Sequence, residues 1–274
     1  VKAVVIGGGT MGAGIAHLLL AGWHKVWLVE ADAERAHAAF LAVKASLHKA
    51  EAKGKLTPDG DADALLANLT VADPPADAEL VIEAVPENVP LKQKVLGDAA
   101  AKCPQAILAS NTSSLSIAEI AAGLPGERVL GMHFFNPVPV QQLVELVHHE
   151  GVDPANVAKA RTWAEEMGKT VIEVRDSPGF ATSRLGVAVG MEAIRMLEEG
   201  VASAADIDTG MKLGYRWPMG PLELTDLVGL DVRLAIAEHL AAQLGPRFEP
   251  PQLLRDKVAR NELGKKTGQG FFSW

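Results

Sequence analysis

The sequence of 274 residues is poor in cysteine: Cys103 stands alone. A single cysteine permits no intrachain disulfide and cannot supply a cysteine-rich metal cluster, so a disulfide-stapled fold is excluded and a reducing, cytoplasmic setting is expected. No His-Glu-x-x-His motif is present, so no metal site is expected, and the serine-rich stretch 110–114 lacks the Gly-x-Ser-x-Gly elbow of a hydrolase nucleophile. Positive charge is in deficit as well. Lys and Arg number 26 against 34 Asp and Glu, a net charge of −8 that offers no global basic field to nucleic acid. No apolar run reaches the roughly 18 residues of a membrane-spanning helix. The opening residues 1–6 read as a strand running into glycines rather than as a signal peptide, so folding is expected to begin at residue 1.

What the sequence does hold is enough apolar material, 48% hydrophobic against 22% charged, for a sizeable core. Its length suits two domains. Short β-branched runs at 3–6, 25–30, 79–84, 106–109, 128–132 and 169–174 alternate with helical stretches at 11–21, 32–53, 90–103 and 154–167. That alternation predicts an α/β domain, a Rossmann-like doubly wound and mostly parallel sheet. Residues 143–147 form a further strand candidate, preceded by the loop 134–142 in place of a helix.

After residues 176–179, Asp-Ser-Pro-Gly, helical spacing takes over. Leu185, Val189, Ala193 and Leu197 make one i, i+4 stripe and Val232, Ile236, Leu240 and Leu244 another, both expected to face a core. Gly200 and Gly210 are expected helix stops and Ser203 an N-cap. The expected domains are thus 1–177, and 178–274 as a smaller all-α domain.

Gly7-Gly8-Gly9-Thr10-Met11-Gly12 satisfies Gly-x-Gly-x-x-Gly between a strand and an amphipathic helix, the context in which glycines let the backbone approach a pyrophosphate at the helix N-terminus. Glu30 ends the next strand, where a carboxylate can accept hydrogen bonds from the adenosine ribose and would repel a 2′-phosphate. NAD is the cofactor expected.

His133 closes a predicted strand at the edge where open α/β sheets hold ligands. Glu145 sits in the apolar run 143–147, where an unpaired carboxylate would be costly. If the loop 134–142 turns the chain back, the two can pair, with Glu145 fixing the imidazole tautomer for proton transfer. The alternative is a core histidine bonded to backbone and an edge carboxylate facing water. His17, His37 and His48 are assigned to solvated helix faces, and His24, His148, His149 and His239 lack an acidic apolar setting.

These motifs, with Glu83-Ala84-Val85-Pro86-Glu87-Asn88, residues 110–115, His133-Phe134-Phe135-Asn136-Pro137-Val138-Pro139, residues 176–180, Pro218-Met219-Gly220-Pro221 and residues 264–268, resemble the L-3-hydroxyacyl-CoA dehydrogenase family over essentially the whole chain. The resemblance implies His133 as catalytic base oriented by Glu145, with Ser113 bonding the reacting oxygen. It implies Glu87, Lys92, Ser113 and Asn136 around the nicotinamide half of NAD, with Lys266 contributed by the C-terminal tail. Ser46 and Lys53 match positions that meet coenzyme A. Seven residues apart, they would share one helix face, to which Lys44 and Lys49 add positive charge; an ordinary solvated face fits those lysines equally. Where many family members carry asparagine, this chain has Ser183, a shorter donor to the substrate thioester.

The activity so implied is reversible, NAD-dependent oxidation of an L-3-hydroxyacyl-CoA, short chains such as 3-hydroxybutyryl-CoA foremost. The alternatives are an NAD-dependent dehydrogenase of free hydroxy acids or sugar acids of the gulonate type, and a non-catalytic NAD-binding structural protein. The expected partners are an acyl-CoA substrate and a second copy of the chain joined through the C-terminal helices, with 222–234 as a possible contact. Neither nucleic acid nor a membrane is expected.

Overall fold

The alternation of β-branched and helical segments builds one mixed sheet. In the computed structural model, which describes residues 1–56 and 60–274, the elements up to Asp176 are β1 (Lys2–Ile6), α1 (Thr10–Ala21), β2 (Lys25–Val29), α2 (Ala33–Glu51), α3 (Ala62–Leu66), β3 (Leu69–Val71), β4 (Leu80–Glu83), α4 (Val89–Lys102), β5 (Ile107–Ser110), α5 (Ile117–Ala121), β6 (Val129–Phe134), β7 (Leu143–His148), α6 (Pro154–Glu166) and β8 (Thr170–Arg175). The strand order is β3-β2-β1-β4-β5-β6-β7-β8. Every pair is parallel except β6 with β7. The winding reverses between β1 and β4, the switch point where doubly wound sheets bind ligands.

Side-chain chemistry explains the local starts. Asp32, Asn88 and Asp153 cap α2, α4 and α6 by accepting bonds from the amides of Arg35, Leu91 and Ala155. β4, β5 and β6 are buried at every residue, as central strands covered on both faces must be. Three elements lie outside the sequence expectation: β3, a three-residue edge strand, and the five-residue helices α3 and α5, all too short to carry a period. α2 ends at Glu51, so Lys53 stands in the turn beyond it and does not share a helix face with Ser46.

The chain divides into two units after Asp176. Ser177–Trp274 is helical: α7 (Thr182–Glu198), α8 (Ala204–Gly214), α9 (Pro221–Val228), α10 (Leu230–Leu244) and α11 (Gln252–Ala259), with no strand among its described residues. Its core gathers Val187, Met191, Ile194, Leu222, Ala237 and Leu240. Ser203 caps α8, but α8 runs through Gly210, so that glycine is not a stop. The two stripes are corrected. Leu185 is 67% exposed and Val232 41%, because an i, i+4 series advances about 40° per step and drifts off the buried face over three steps. The buried face of α10 is instead Leu230, Arg233, Ala237 and Leu240. Asp226 ties down the tail, accepting bonds from the amides of Phe271 and Phe272 and from the Trp274 indole.

Candidate active site

The glycine loop leaves β1 at Ile6 and enters α1 at Thr10. Gly7 adopts φ +90°, and a Cβ on Gly12 would lie 1.7 Å from the Gly7 carbonyl oxygen, so the turn closes only with glycine at both places. No side chain caps α1, so the amides of its first turn, at Thr10, Met11 and Gly12, lack intrahelical partners and suit an anion. Around Gly9 a Cβ would meet nothing within 4 Å, which leaves the loop open to a ligand. Glu30 is held at this loop: Oε1 accepts from the Gly8 amide at 2.6 Å and Oε2 from Ala31 at 3.0 Å, with lone pairs left for ribose hydroxyls. These residues fit a dinucleotide.

On β6, two strands past β4 in the sheet, the antiparallel return of β7 sets His133 directly opposite Glu145 in the ladder. His133 Nδ1 and Glu145 Oε2 are 2.6 Å apart, with the Glu145 side chain fully buried and that of His133 8% exposed. The pairing therefore takes the form of a carboxylate orienting an imidazole, and the water-facing alternative for Glu145 falls away. The Phe135 ring packs tilted against the imidazole, centroids 4.4 Å apart. The intervening loop is pinned by Lys169, whose buried ammonium donates to the carbonyls of Val138 and Gln141, both at 2.7 Å.

A second buried carboxylate governs the neighbouring strand ends. Glu83, at the end of β4, is fully buried and bonded by Lys92 Nζ at 2.9 and 3.0 Å and by the Ser110 hydroxyl. Desolvation pushes the Glu83 carboxyl up from the ordinary glutamate range, against the pull of the Lys92 charge. Lys92 is itself 1% exposed; it also donates to the Val85 carbonyl and lies 3.3 Å from Glu87. Glu87 in turn accepts from the Ser113 amide at 2.8 Å and from the hydroxyls of Ser113 and Thr112, both at 3.1 Å. Lys92 is thus an interior cation that links Glu83 to Glu87. Sequence reasoning assigned no role to Glu83 or Ser110, although Glu83 ends an apolar run just as Glu145 lies within one.

Comparison with known proteins decides the family. Residues 2–177 match the model for the 3-hydroxyacyl-CoA dehydrogenase NAD binding domain, and residues 179–274 that for the C-terminal domain of the same family. The chain belongs to the 3-hydroxyacyl-CoA dehydrogenase family. It is 40% identical over 278 residues to the probable 3-hydroxybutyryl-CoA dehydrogenase of Bacillus subtilis, covering 99% of this chain and 96% of that one. Identity to the mitochondrial hydroxyacyl-coenzyme A dehydrogenase of Rattus norvegicus is also 40%, covering 98% and 90%. The crystal structure of (S)-3-hydroxybutyryl-CoA dehydrogenase from Ralstonia eutropha superposes with a TM-score of 0.93 at 38% identity, covering 100% and 98%. The chain is accordingly an NAD-dependent oxidoreductase of 3-hydroxyacyl-CoA, and the free-acid and non-catalytic alternatives are set aside.

The remaining expected residues of this dehydrogenase lie as follows. Asn136 is exposed in the loop after β6. Ser46, on α2, is bonded to His17 at 2.7 Å between its Oγ and the imidazole Nδ1. His17 is a correction: it is 3% exposed, inside α1, and not on a solvated face. Burial, with a smaller push from Lys169, lowers its pKa to about 4, so the imidazole is neutral. The signal was present, since His17 sits between Ile15-Ala16 and Leu18-Leu19 with apolar neighbours on every side of the helix. In the helical unit, Ser183 lies half-buried in the first turn of α7, and Lys266 is ion-paired with Asp231 at 2.5 Å.

Proposed function

We propose that this dehydrogenase acts on short-chain L-3-hydroxyacyl-CoA, such as 3-hydroxybutyryl-CoA, with His133 as general base. The single observation that carries the role is the 2.6 Å contact of His133 Nδ1 with the buried Glu145 carboxylate. It holds the proton on Nδ1 and assigns Nε2 to the substrate hydroxyl. On oxidation Nε2 takes the hydroxyl proton, the C3–H bond breaks, and the electron pair of the O–H bond closes the new carbonyl. NAD, when bound, supplies the acceptor for the hydrogen and two electrons that leave C3. Glu145 offsets the charge that appears on the imidazole, and Ser113, whose amide is held by Glu87, turns its hydroxyl from that carboxylate to hydrogen-bond the reacting oxygen.

The names of the Bacillus subtilis and Ralstonia eutropha relatives, both 3-hydroxybutyryl-CoA dehydrogenases, support a four-carbon acyl chain. Ser46 and Lys53 are proposed to meet coenzyme A, with Asn136, Glu87 and Lys266 around the nicotinamide half of NAD. A homodimer through the helical unit is supported by the apolar residues Leu224, Leu227, Val228 and Val232, which stay 36% to 41% exposed. A buried lone Cys103 suits a reducing cytoplasm. The experiment is NADH oxidation with acetoacetyl-CoA, free acetoacetate and the 3-oxo acid of gulonate as alternative substrates. Turnover with the thioester is expected; turnover confined to the free acids overturns the substrate reading.

A further inference from the structure

Glu83 is the last residue of β4, level with Ile6 of β1 on one side and with Ser110 of β5 on the other, at the switch point of the sheet. It is fully buried, where an ionised carboxylate is costly, yet the chain surrounds it with donors instead of replacing it by an apolar residue. Oε1 accepts from Lys92 Nζ and the Ser110 hydroxyl, Oε2 from Lys92 Nζ and the Val85 amide.

Three routes run from this residue to the groups assigned to the reaction. Through Lys92 it holds an ammonium 3.3 Å from Glu87 Oε2, while Glu87 Oε1 gathers the Ser113 amide and the hydroxyls of Ser113 and Thr112. One oxygen of Glu87 thus faces the cation and the other faces the serine. Through Ser110 it fixes the oxygen that accepts from the Thr112 amide at 3.2 Å; the Thr112 hydroxyl accepts from the Leu115 amide at 3.0 Å, closing the turn that carries Ser113. The third route is backbone. The Glu83 carbonyl accepts from the Asn111 amide at 2.9 Å, and the Asn111 side-chain oxygen accepts from the Phe134 amide, next to His133, at 2.9 Å. The first two routes depend on the carboxylate; the third survives its replacement.

We propose that the Glu83 carboxylate is a positioning residue for the reaction: through Lys92 and Glu87, and through Ser110 and Thr112, it sets the place from which the Ser113 hydroxyl meets the reacting oxygen. The proposal rests on the reading that Ser113 bonds that oxygen. Glutamine is the sharpest probe, because in either orientation its amide nitrogen faces Lys92, donor against donor.

The test measures kcat and KM for acetoacetyl-CoA, and the NADH dissociation constant, in wild type, Glu83→Gln, Ser113→Ala and the double variant. Ser113→Ala is expected to lower kcat at least about tenfold. Glu83→Gln should lower kcat about tenfold, the worth of one hydrogen bond made in the transition state, with KM and NADH affinity within about threefold of wild type. In the Ser113→Ala background the same change should cost less than about twofold in kcat, because the hydroxyl it places is absent. Equal losses in both backgrounds overturn the proposal, by giving Glu83 a general structural part. A Glu83→Gln kcat within about twofold of wild type, or a fall in NADH affinity that matches the fall in kcat, overturns it as well. Should Glu83→Gln not fold, Glu83→Gln combined with Lys92→Met removes both charges of the buried pair and takes its place, with the same expectations and the same refutations. A silent Ser113→Ala overturns the reading beneath the proposal, whereas an impaired Ser113→Ala beside an unaffected Glu83→Gln sinks the Glu83 proposal alone.

Discussion

Replacing Glu145 by glutamine removes one charge while keeping the shape of the side chain and an oxygen able to accept from His133 Nδ1. The paired atoms are 2.6 Å apart, with the carboxylate fully buried, so little solvent screens the pair. With charge centres about 4 Å apart and an effective dielectric of about 20, the attraction between carboxylate and imidazolium is about 4 kcal/mol. That attraction exists only once His133 has taken the proton, so most of it belongs to the transition state rather than to substrate binding. A loss of about 3 kcal/mol corresponds to a fall in kcat on the order of 10²-fold, with KM changed by less than about threefold. The assay is NADH formation at saturating 3-hydroxybutyryl-CoA for Glu145→Gln, His133→Ala and the double variant. In the His133→Ala background, Glu145→Gln should cost nothing further, because the imidazolium it stabilises is absent. A Glu145→Gln variant within twofold of wild type, or one equally damaging in both backgrounds, refutes the orienting role.

Three other outcomes follow from the same geometry. Gly12→Ala drives a methyl to 1.7 Å from the Gly7 carbonyl oxygen, and NADH affinity read by fluorescence titration should fall at least about tenfold. His17 has a folded pKa of about 4 against about 6.5 in the unfolded chain, so the unfolded chain binds the proton first as pH falls. Its stabilisation, up to about 3 kcal/mol, is complete above pH 6.5 and is lost as pH drops toward 4; thermal melts should show wild type losing more Tm than His17→Gln between pH 7 and 4.5. Asp226→Ala strands three donors of the C-terminal tail and should cost about 3–5 kcal/mol, visible as a drop in Tm of roughly 10 °C; a drop under about 2 °C would contradict the tie.

Much of the sheet was legible because its strands are short β-branched runs between capped helices, and the reversal at β7 was readable from one charged residue in an apolar run. The test that paired Glu145 with His133 applies with equal force to Glu83, whose partner Lys92 is only nine residues on; applied there, it would have revealed the buried network that sets Glu87 and Ser113. Position on a helix was harder. α1 is covered on all sides, so it has no polar face to betray its orientation, and His17 was placed in water on the habit of its residue type. In the helical unit, straight i, i+4 counting carried Leu185 and Val232 into the core, when the helix rotates them out. Asp226 was invisible for a different reason: its partners come from a segment tens of residues away. Lys53, assigned to a helix face by its seven-residue spacing from Ser46, depended on where α2 stops, and helix ends are the least determined part of a periodic pattern.

The most direct measurement is the turnover of acetoacetyl-CoA with NADH by His133→Ala, alongside the NADH dissociation constant of the same variant. A general base on this dehydrogenase predicts kcat reduced by about 10²- to 10⁴-fold with NADH binding within about twofold of wild type. Turnover at the wild-type rate would contradict the assignment of His133.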